Sequence, residues 1–316
     1  MDAKEKQRMG FLWFKTKKEK QAEEEHSWYK DMTTDCQEVW QLDMAVASDL
    51  GRVRSNNEDN FLMGSIYNEK QAGQYYYETT ESLDNCRLAA VFDGMGGESC
   101  GELASLTAAQ MMGDVAASQG QTDLKSFVMT IKESFGAINN QIVEYQNEQG
   151  AMIGTTAVVF CTDGDEFQVM NCGDSRAYLF RDGSVSCMTK DHTLSAQRIA
   201  QGMYDADSKE ARRDKHSLIC FLGIDTQMIG LVPDETGWYD LGENDILLLC
   251  SDGLTDACSS EDMETILREK DSLRDKAQEL LETAIRQGSK DNITCLLIKK
   301  SRRTKTNREA AAYGED

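Results

Sequence analysis

The sequence has few histidines, no long apolar stretch and no paired-cysteine motif. Its 316 residues include 3 His and 10 Cys, and no two cysteines stand in a C-x-x-C pair or at zinc-finger spacing. This composition argues against a histidine-rich zinc site and against a metal finger. No apolar run approaches the roughly 18 residues that span a bilayer, and the start of the chain lacks the pattern of a secretory signal. We therefore expect a cytoplasmic protein whose cysteines are reduced thiols.

Basic residues are scarce except at the two ends of the chain. The net charge is −21, yet residues 1–20 carry +4 and residues 299–308 carry +6, which leaves −28 on residues 21–298. A body this acidic repels a phosphate backbone, so we expect no nucleic-acid partner. Phe11–Phe14 lies among lysines. It is a candidate for membrane contact, although a stretch this short binds an anionic lipid surface weakly at best.

The patterning predicts one α+β domain over residues 39–300, preceded by a charged appendage (1–38) and followed by a polar tail (301–316). Apolar residues at helical spacing predict helices, and apolar runs separated by Asp-Gly predict β-hairpins and therefore antiparallel sheet. The predicted helices are 101–117, 124–143 and 273–285. The predicted strands are 155–162, 167–172, 177–180 and 185–188.

Acidic residues recur at the ends of strand-like runs, where a rigid scaffold can direct side chains to a common point. Carboxylate and carbonyl oxygens are the ligands that Mg²⁺ and Mn²⁺ prefer, and the planar fork of a nearby Arg54 suits two phosphate oxygens. Each Asp-Gly alone is most simply a turn. The candidate acids are Glu58, Asp59, Asp93, Asp252 and Asp291.

Other reactive residues favour structural roles. Ser175 stands in a segment that is one residue short of a nucleophile elbow and is flanked by predicted hairpin strands instead of a helix. We interpret Ser175 and Arg176 as structural, and His192 as a packed or hydrogen-bonded histidine. No Walker, Rossmann or H-E-x-x-H motif is present.

Seven segments, in order, resemble the metal-dependent serine/threonine phosphatases of the protein phosphatase type 2C family, over roughly residues 42–300. Each segment alone has weak to moderate specificity, whereas the complete ordered set is very specific. The resemblance implies a central antiparallel β-sandwich flanked by helices on both sides, in four α-β-β-α layers, with the metals between the sheets at one end. The segments are RSNNEDNF (54–61), AVFDGMGG (90–97), GTTAVV (154–159), NCGDSRAYLF (171–180), KDHTL (190–194), CSDGLTD (250–256) and KDNITCLLI (290–298).

The resemblance also implies which residues hold the cofactors, two Mn²⁺ or Mg²⁺ ions. Asp93 is expected to bridge the two ions. The backbone carbonyl of Gly94 and the side chain of Glu58 are expected to help hold one ion. Asp252 and Asp291 are expected to help hold the other.

Further roles are implied for residues near the two ions. Asp59 resembles the acid that orients metal-bound water, Arg54 the arginine that binds phosphate, and Asp174 a ligand of the third ion seen in some members. Residues 193–230 resemble the family's variable flap. Met95 stands where animal members often have a general-acid histidine; bacterial-type members are similar in having Met, and the proton donor stays unassigned.

The resemblance implies an enzyme that hydrolyses phosphoserine and phosphothreonine on proteins. A metal-bridging water would attack phosphorus in line, and positioning and charge neutralisation would supply most of the catalysis. Phosphorylated proteins, the substrates of a serine/threonine kinase, are the expected partners, and a monomer is expected. Two alternatives remain: a non-catalytic phosphoprotein-binding module on the same fold, or a phosphatase of small phosphate esters.

Overall fold

The computed structural model describes residues 37–83, 86–96, 101–118, 123–225, 231 and 233–305. Residues Trp40–Ser301 form one compact unit, and the structure of that unit is described below. Residues 1–36 of the predicted appendage and residues 306–316 of the predicted tail lie outside the described residues. The predicted domain boundaries therefore stay predictions.

The strands form two antiparallel sheets. In chain order they are β1 (Gln37–Asp49), β2 (Asp59–Met63), β3 (Gln74–Ser82), β4 (Leu88–Gly96), β5 (Ile153–Thr155), β6 (Ala157–Thr162), β7 (Glu166–Cys172), β8 (Arg176–Arg181), β9 (Ser184–Cys187), β10 (Asp234–Glu235), β11 (Tyr239–Asp240), β12 (Ile246–Cys250) and β13 (Ile293–Lys305). The first sheet has the order β3-β1-β13-β12-β8-β9. The second has the order β10-β7-β6-β4-β2, with β11 paired to β7 and β5 paired to β4.

The longer helices pack on the two outer faces of the sheets. None of those within the described ranges combines the length and apolar character needed to cross a membrane. In chain order they are α1 (Gly101–Ser118), α2 (Leu124–Gln149), α3 (Leu194–Ala200), α4 (Lys209–Arg213), α5 (Asp252–Thr255), α6 (Ser260–Arg268) and α7 (Leu273–Gln287).

Alternation along the central strands builds the layers, because successive side chains of a strand point to opposite faces. On β4, Val91 joins the core between the two sheets, while its neighbour Phe92 packs with α1 and α2. On β13, Leu296 joins the core between the sheets and Leu297 packs with α6 and α7. The observed order is helices, sheet, sheet, helices, which confirms the predicted four-layer sandwich.

Local signals fix the ends of the predicted elements. The carboxylate of Asp123 accepts a hydrogen bond from the backbone N–H of Ser126 and caps α2, which ends at Gly150 with φ +66°. Asp182 and Gly183 have φ values of +53° and +82°, as the tight turn between β8 and β9 requires. The predicted helices and hairpin strands are confirmed, although α2 continues to Gln149, beyond the predicted end at 143.

The candidate acids meet because several strands end at one edge of the sandwich. β2 and β4 are antiparallel neighbours, and their register places Asp59 directly opposite Asp93. In the other sheet, the end of β12 lies beside the start of β13, with Cys250 opposite Cys295. Asp252 follows β12 by two residues and Asp291 precedes β13 by two residues. Residues distant in the sequence are thereby brought to one place.

Candidate active site

A polar cavity of about 540 Å³ opens at this edge of the sandwich. Seven of the eight predicted site residues line its wall, and Asp59 lies behind that wall. Met95, Thr156, His216 and Lys290 also face the cavity. The seven residues are Arg54, Glu58, Asp93, Gly94, Asp174, Asp252 and Asp291.

Asp59 is held from behind by the opposite sheet. It is 3% exposed, and its Oδ2 accepts a hydrogen bond of 2.7 Å from the Ser251 hydroxyl. The Ser251 oxygen in turn accepts from the backbone N–H of Thr294 at 3.0 Å. The Oδ1 atom of Asp59 is buried without a hydrogen-bond partner in the described structure. The carboxylate is therefore fixed mainly through Oδ2.

The two sides of the cavity are joined by the loop that precedes β13. The Asn292 side chain donates to the backbone carbonyls of Leu50 and Asn56 at 3.0 and 2.9 Å. Its oxygen accepts from the backbone N–H of Glu58 at 2.8 Å. The next residue back, Asp291, accepts a hydrogen bond of 2.6 Å from Nη2 of Arg54. These bonds fix the positions of Glu58 and Asp291 relative to each other.

Gly94 stands where the backbone of three segments comes into close contact. Its N–H donates to the carbonyl of Glu58 at 3.1 Å. A Cβ at Gly94 would overlap the backbone oxygens of Glu58 and Gly101, and a Cβ at Gly101 would approach the Glu58 carboxylate at 2.8 Å. Because neither glycine has a side chain, the backbone at Gly94 and Gly101 can lie directly against the candidate ligand Glu58.

A second group of possible ligands, two aspartates and a histidine, lies on the flap side of the cavity. Ligand atoms of Asp174, His216 and Asp252 all lie within 4.8 Å of one another. His216 Nδ1 is 3.1 Å from Asp252 Oδ2, and its Nε2 is 3.4 Å from Asp256 Oδ2. Asp174 is buried, with 8% exposure. Asp252 is thus shared between the two groups of acids.

The carboxylates raise one another's pKa. Burial, then the neighbouring Asp59 and Asp252, raises the pKa of Asp93 well above its usual value. Burial raises the pKa of Asp59 to about 7 and, with the nearby Asp252, that of Asp174 to about 7. Burial and then Glu102 raise the pKa of Glu58. Each of these carboxyl groups therefore keeps its proton to a higher pH than an isolated carboxyl group does.

A divalent cation fits this arrangement. Buried charge is tolerated when it is paired or coordinates a metal, and the unpartnered Oδ1 of Asp59 marks a place for such pairing. The predicted donors are carboxylate and carbonyl oxygens, which suit hard ions such as Mg²⁺ and Mn²⁺. The residues present therefore match the predicted cofactor.

Three further residues of the site were not predicted from the sequence. Ser251 and Asn292 each adjoin a predicted ligand, but hydrogen bonds to remote backbone atoms leave no periodic signal. His216 belongs to the predicted flap, whose path over the cavity depends on tertiary packing. Its place beside Asp252 could not be deduced from spacing.

The residues interpreted as structural are engaged in the scaffold. Ser175 is 1% exposed, and its hydroxyl lies 2.7 Å from that of Thr156. Arg176 forms a bidentate pair with Asp191, at 2.7 and 2.6 Å. His192 Nδ1 accepts from the backbone N–H of Gly173 at 3.2 Å. These contacts agree with structural roles for the three residues, and none of them indicates that Ser175 acts as a nucleophile.

Comparison with known families agrees with this geometry. The family model described as "Protein phosphatase 2C" matches residues 46–198 and 202–293, most of the chain. The chain belongs to the protein phosphatase 2C family. The resemblance drawn from the seven sequence segments is thereby confirmed.

Two similar proteins within the protein phosphatase 2C family come from bacteria. The serine/threonine phosphatase stp of Listeria welshimeri is 30% identical over 257 residues, covering 80% of this chain and 94% of the relative. The serine/threonine protein phosphatase PstP of Mycobacterium tuberculosis is 28% identical over 258 residues, covering 81% of this chain and 44% of the relative.

Solved structures of the family share the fold. The catalytic domain of the phosphatase PstP, solved in complex with 2 manganese ions, matches with a TM-score of 0.66 and 28% identity, covering 83% of this chain and 99% of that one. The S. agalactiae serine/threonine phosphatase matches with a TM-score of 0.68 and 27% identity, covering 82% of this chain and 99% of that one.

Proposed function

We propose that this protein phosphatase 2C removes phosphate from phosphoserine and phosphothreonine in other proteins, with two Mn²⁺ or Mg²⁺ ions as cofactors. The observation that carries the proposal is the convergence of carboxylates from both sheets, most of them half-buried, on one cavity beside Arg54. The similar phosphatase structure that contains 2 manganese ions supports the identity of the cofactor. A non-catalytic binding module is disfavoured because none of the predicted metal-site acids has been lost.

Each predicted ligand has an assigned part. Asp93 would contribute to holding both ions. Glu58 and the carbonyl of Gly94 would help hold one ion, and Asp252 and Asp291 would help hold the other. When bound, the ions lower the pKa of a shared water and neutralise the charge of the phosphoryl group under attack. The nearness of the Asp174, His216 and Asp252 ligand atoms, within 4.8 Å of one another, supports the proposal that Asp174 would help hold a third ion.

The chain's own residues bind and orient the reactants. Arg54 uses one Nη2 donor on Asp291 and has four further N–H donors for phosphate oxygens. Asp59, behind the cavity wall, is a positioning residue: Ser251 holds its Oδ2, and its Oδ1 would orient metal-bound water. Met95 lines the cavity but has no proton to donate. The serine or threonine oxygen that leaves phosphorus therefore takes its proton from water in the cavity.

The proposed reaction also implies which enzymes must make its substrates. Phosphate monoesters of serine and threonine in proteins are made by protein kinases, so a serine/threonine kinase must supply the substrates and the enzyme takes part in signalling. We propose that it acts as a monomer in the cytoplasm. Light scattering and cell fractionation check these two statements.

The test is turnover of a phosphothreonine peptide and of a sugar phosphate by the metal-loaded protein. We expect hydrolysis of the peptide with the higher kcat/KM, loss of activity in excess EDTA, and recovery on adding Mn²⁺. Asp93→Asn and Asp252→Asn should each lower kcat/KM by more than about 100-fold, because both remove a charged ligand. Full activity in EDTA, a preference for the sugar phosphate, or binding of the peptide without turnover would refute the proposal.

A further inference from the structure

Two cysteines and a histidine meet outside the phosphatase site. The Sγ atoms of Cys172 and Cys220 are 3.0 Å apart, and a ring nitrogen of His192 lies within 4.8 Å of both sulfurs. Cys172 is the last residue of β7, and Cys220 belongs to the predicted flap. The proposed phosphatase mechanism uses none of the three side chains.

Backbone hydrogen bonds preform this thiol pair. Ile219 donates to the carbonyl of His192 at 2.9 Å, and Leu222 exchanges hydrogen bonds of 2.8 and 3.0 Å with Thr155 of β5. The segment that carries Cys220 is therefore fixed on both sides of the cysteine. His192 is itself fixed to Gly173, which follows Cys172, because its N–H donates to the Gly173 carbonyl at 2.9 Å.

A metal ion suits this cluster less well than a reaction between the thiols. Two thiolates on one tetrahedral zinc ion lie roughly 3.8 Å apart, given Zn–S bonds of about 2.3 Å, whereas these sulfurs are 3.0 Å apart. The lone pair of His192 Nδ1 already accepts the Gly173 N–H at 3.2 Å. In the neutral ring, Nε2 then carries the proton and offers no lone pair to a metal.

The two thiols differ in reactivity. Cys220 is partly exposed, whereas Cys172 is fully buried. Hydrogen bonds from Cys172 and then from His192 lower the pKa of Cys220, which favours its thiolate at neutral pH. A partly exposed thiolate beside a second thiol is the usual arrangement of an oxidation-sensitive cysteine and its resolving partner.

We propose that Cys220 and Cys172 form a redox modification site that a hydroperoxide converts to a disulfide. The Cys220 thiolate attacks the peroxide, the O–O bond breaks, and the alcohol or water leaves with a proton as Cys220 becomes a sulfenic acid. The Cys172 thiol then attacks the Cys220 sulfur, the S–O bond breaks, and water leaves with the Cys172 proton. The two thiols together supply the two electrons that reduce the peroxide.

The disulfide would tie the flap covalently to the sandwich. Cys172 lies two residues before Asp174, and Leu218, two residues before Cys220, lines the phosphatase cavity. Closing the pair requires the sulfurs to approach by about 1 Å, to the bonding distance of roughly 2.05 Å. The linkage would be reversible by a thiol reductant.

The test is thiol mapping of the full-length reduced protein after exposure to hydrogen peroxide. Free thiols are blocked with N-ethylmaleimide, and the peptides are analysed by mass spectrometry. We expect a loss of two thiols per chain, a cross-linked peptide containing Cys172 and Cys220, and reversal by dithiothreitol. Because thiols are counted instead of phosphate release, failure here is separate from failure of the proposed phosphatase activity.

Three variants make the result specific. Cys220→Ser should abolish the cross-link, whereas Cys187→Ser, which removes the exposed thiol of β9, should leave it intact. His192→Leu should slow the oxidation of Cys220 about tenfold at neutral pH, since leucine has no donor to stabilise the thiolate.

Two outcomes would overturn the proposal. The first is oxidation of Cys220 to a sulfinic or sulfonic acid with no cross-link to Cys172. The second is one zinc ion per chain in the purified protein, lost in Cys220→Ser, with thiols that resist peroxide until the zinc is removed.

Discussion

At the scale of single residues, a serine hydroxyl links the two sheets at the site. Ser251 donates to Asp59 at 2.7 Å and accepts from the backbone of Thr294 at 3.0 Å. Asp59 belongs to one sheet, and Thr294 to the other. The position of the Asp59 carboxylate therefore depends on a contact across the sandwich, and outer contacts of this kind tune what a bound metal can do.

Ser251→Ala should lower kcat about 10- to 100-fold with little change in KM, because Asp59 loses the donor that orients it. Steady-state kinetics on a phosphothreonine peptide measure both constants. Ser272→Ala, at the cap of α7, is the control: it should cost about 1 kcal/mol of stability and leave kcat unchanged. Equal kcat values for wild type and Ser251→Ala would contradict the account.

Arg54→Lys should raise KM and lower kcat/KM about tenfold or more, because a lysine ammonium replaces a planar fork that binds two phosphate oxygens together. The matched control is Arg52→Lys, two residues away and exposed, which should behave as wild type. A similar loss in both variants would show that general surface charge matters and that Arg54 has no special position.

At the scale of elements, the pairing of β2 with β4 carries much of the site. The register sets Asp59 against Asp93, and the continuation of β4 brings Gly94 against the backbone of Glu58 and Gly101. Strand ends place the candidate ligands Asp59 and Asp93 opposite each other, and the absence of a side chain at Gly94 allows its backbone to lie close to that of Glu58.

Gly94→Ala should weaken Mn²⁺ binding and lower activity, because the added methyl group overlaps backbone oxygens that cannot move independently. Calorimetric titration with Mn²⁺ and thermal unfolding measure the two effects. Gly136→Ala is the control: an added Cβ there meets nothing within 4 Å, and the helix α2 should gain about 0.5–1 kcal/mol of stability. Unchanged Mn²⁺ affinity in Gly94→Ala would rule out the close approach as a requirement.

Most elements could be predicted because their signals are local. The Asp182-Gly183 turn and the helical periodicity of α2 lie within short windows of sequence. The short flap helices α3 and α4 were not predicted, because each is only one or two turns long and has no sustained apolar period, although Thr193 and Ser208 cap them. Tertiary contacts also determine the place of His216, so the sequence could supply the ligands in the 2C-like segments but not this neighbour of Asp252.

At the scale of the whole molecule, the acidic site couples metal binding to stability. Carboxyl groups titrate near pH 4 in an unfolded chain, whereas burial raises the pKa values of Asp59 and Asp174 to about 7. Between these values the folded metal-free protein binds more protons than the unfolded chain. Its free energy of unfolding should therefore fall as the pH rises from about 4 to about 7.

Mn²⁺ should consequently raise the melting temperature more at about pH 7.5 than at about pH 5.5, since protons compete with the ion for the same oxygens. Thermal unfolding in EDTA and in Mn²⁺ at the two pH values measures the difference. Asp93→Asn should remove most of the Mn²⁺-dependent increase at the higher pH. An increase in melting temperature that is the same at both pH values would argue against binding at these carboxylates.

The most direct test of the account is a crystal structure of the Mn²⁺-soaked protein, with the ions located by anomalous scattering. We expect two strong peaks in the cavity, bridged by Asp93, with Glu58 and the Gly94 carbonyl on one ion and Asp252 and Asp291 on the other. An additional weaker peak beside Asp174 would agree with a third ion. No peak within bonding distance of Asp93 at saturating Mn²⁺ would contradict the central claim.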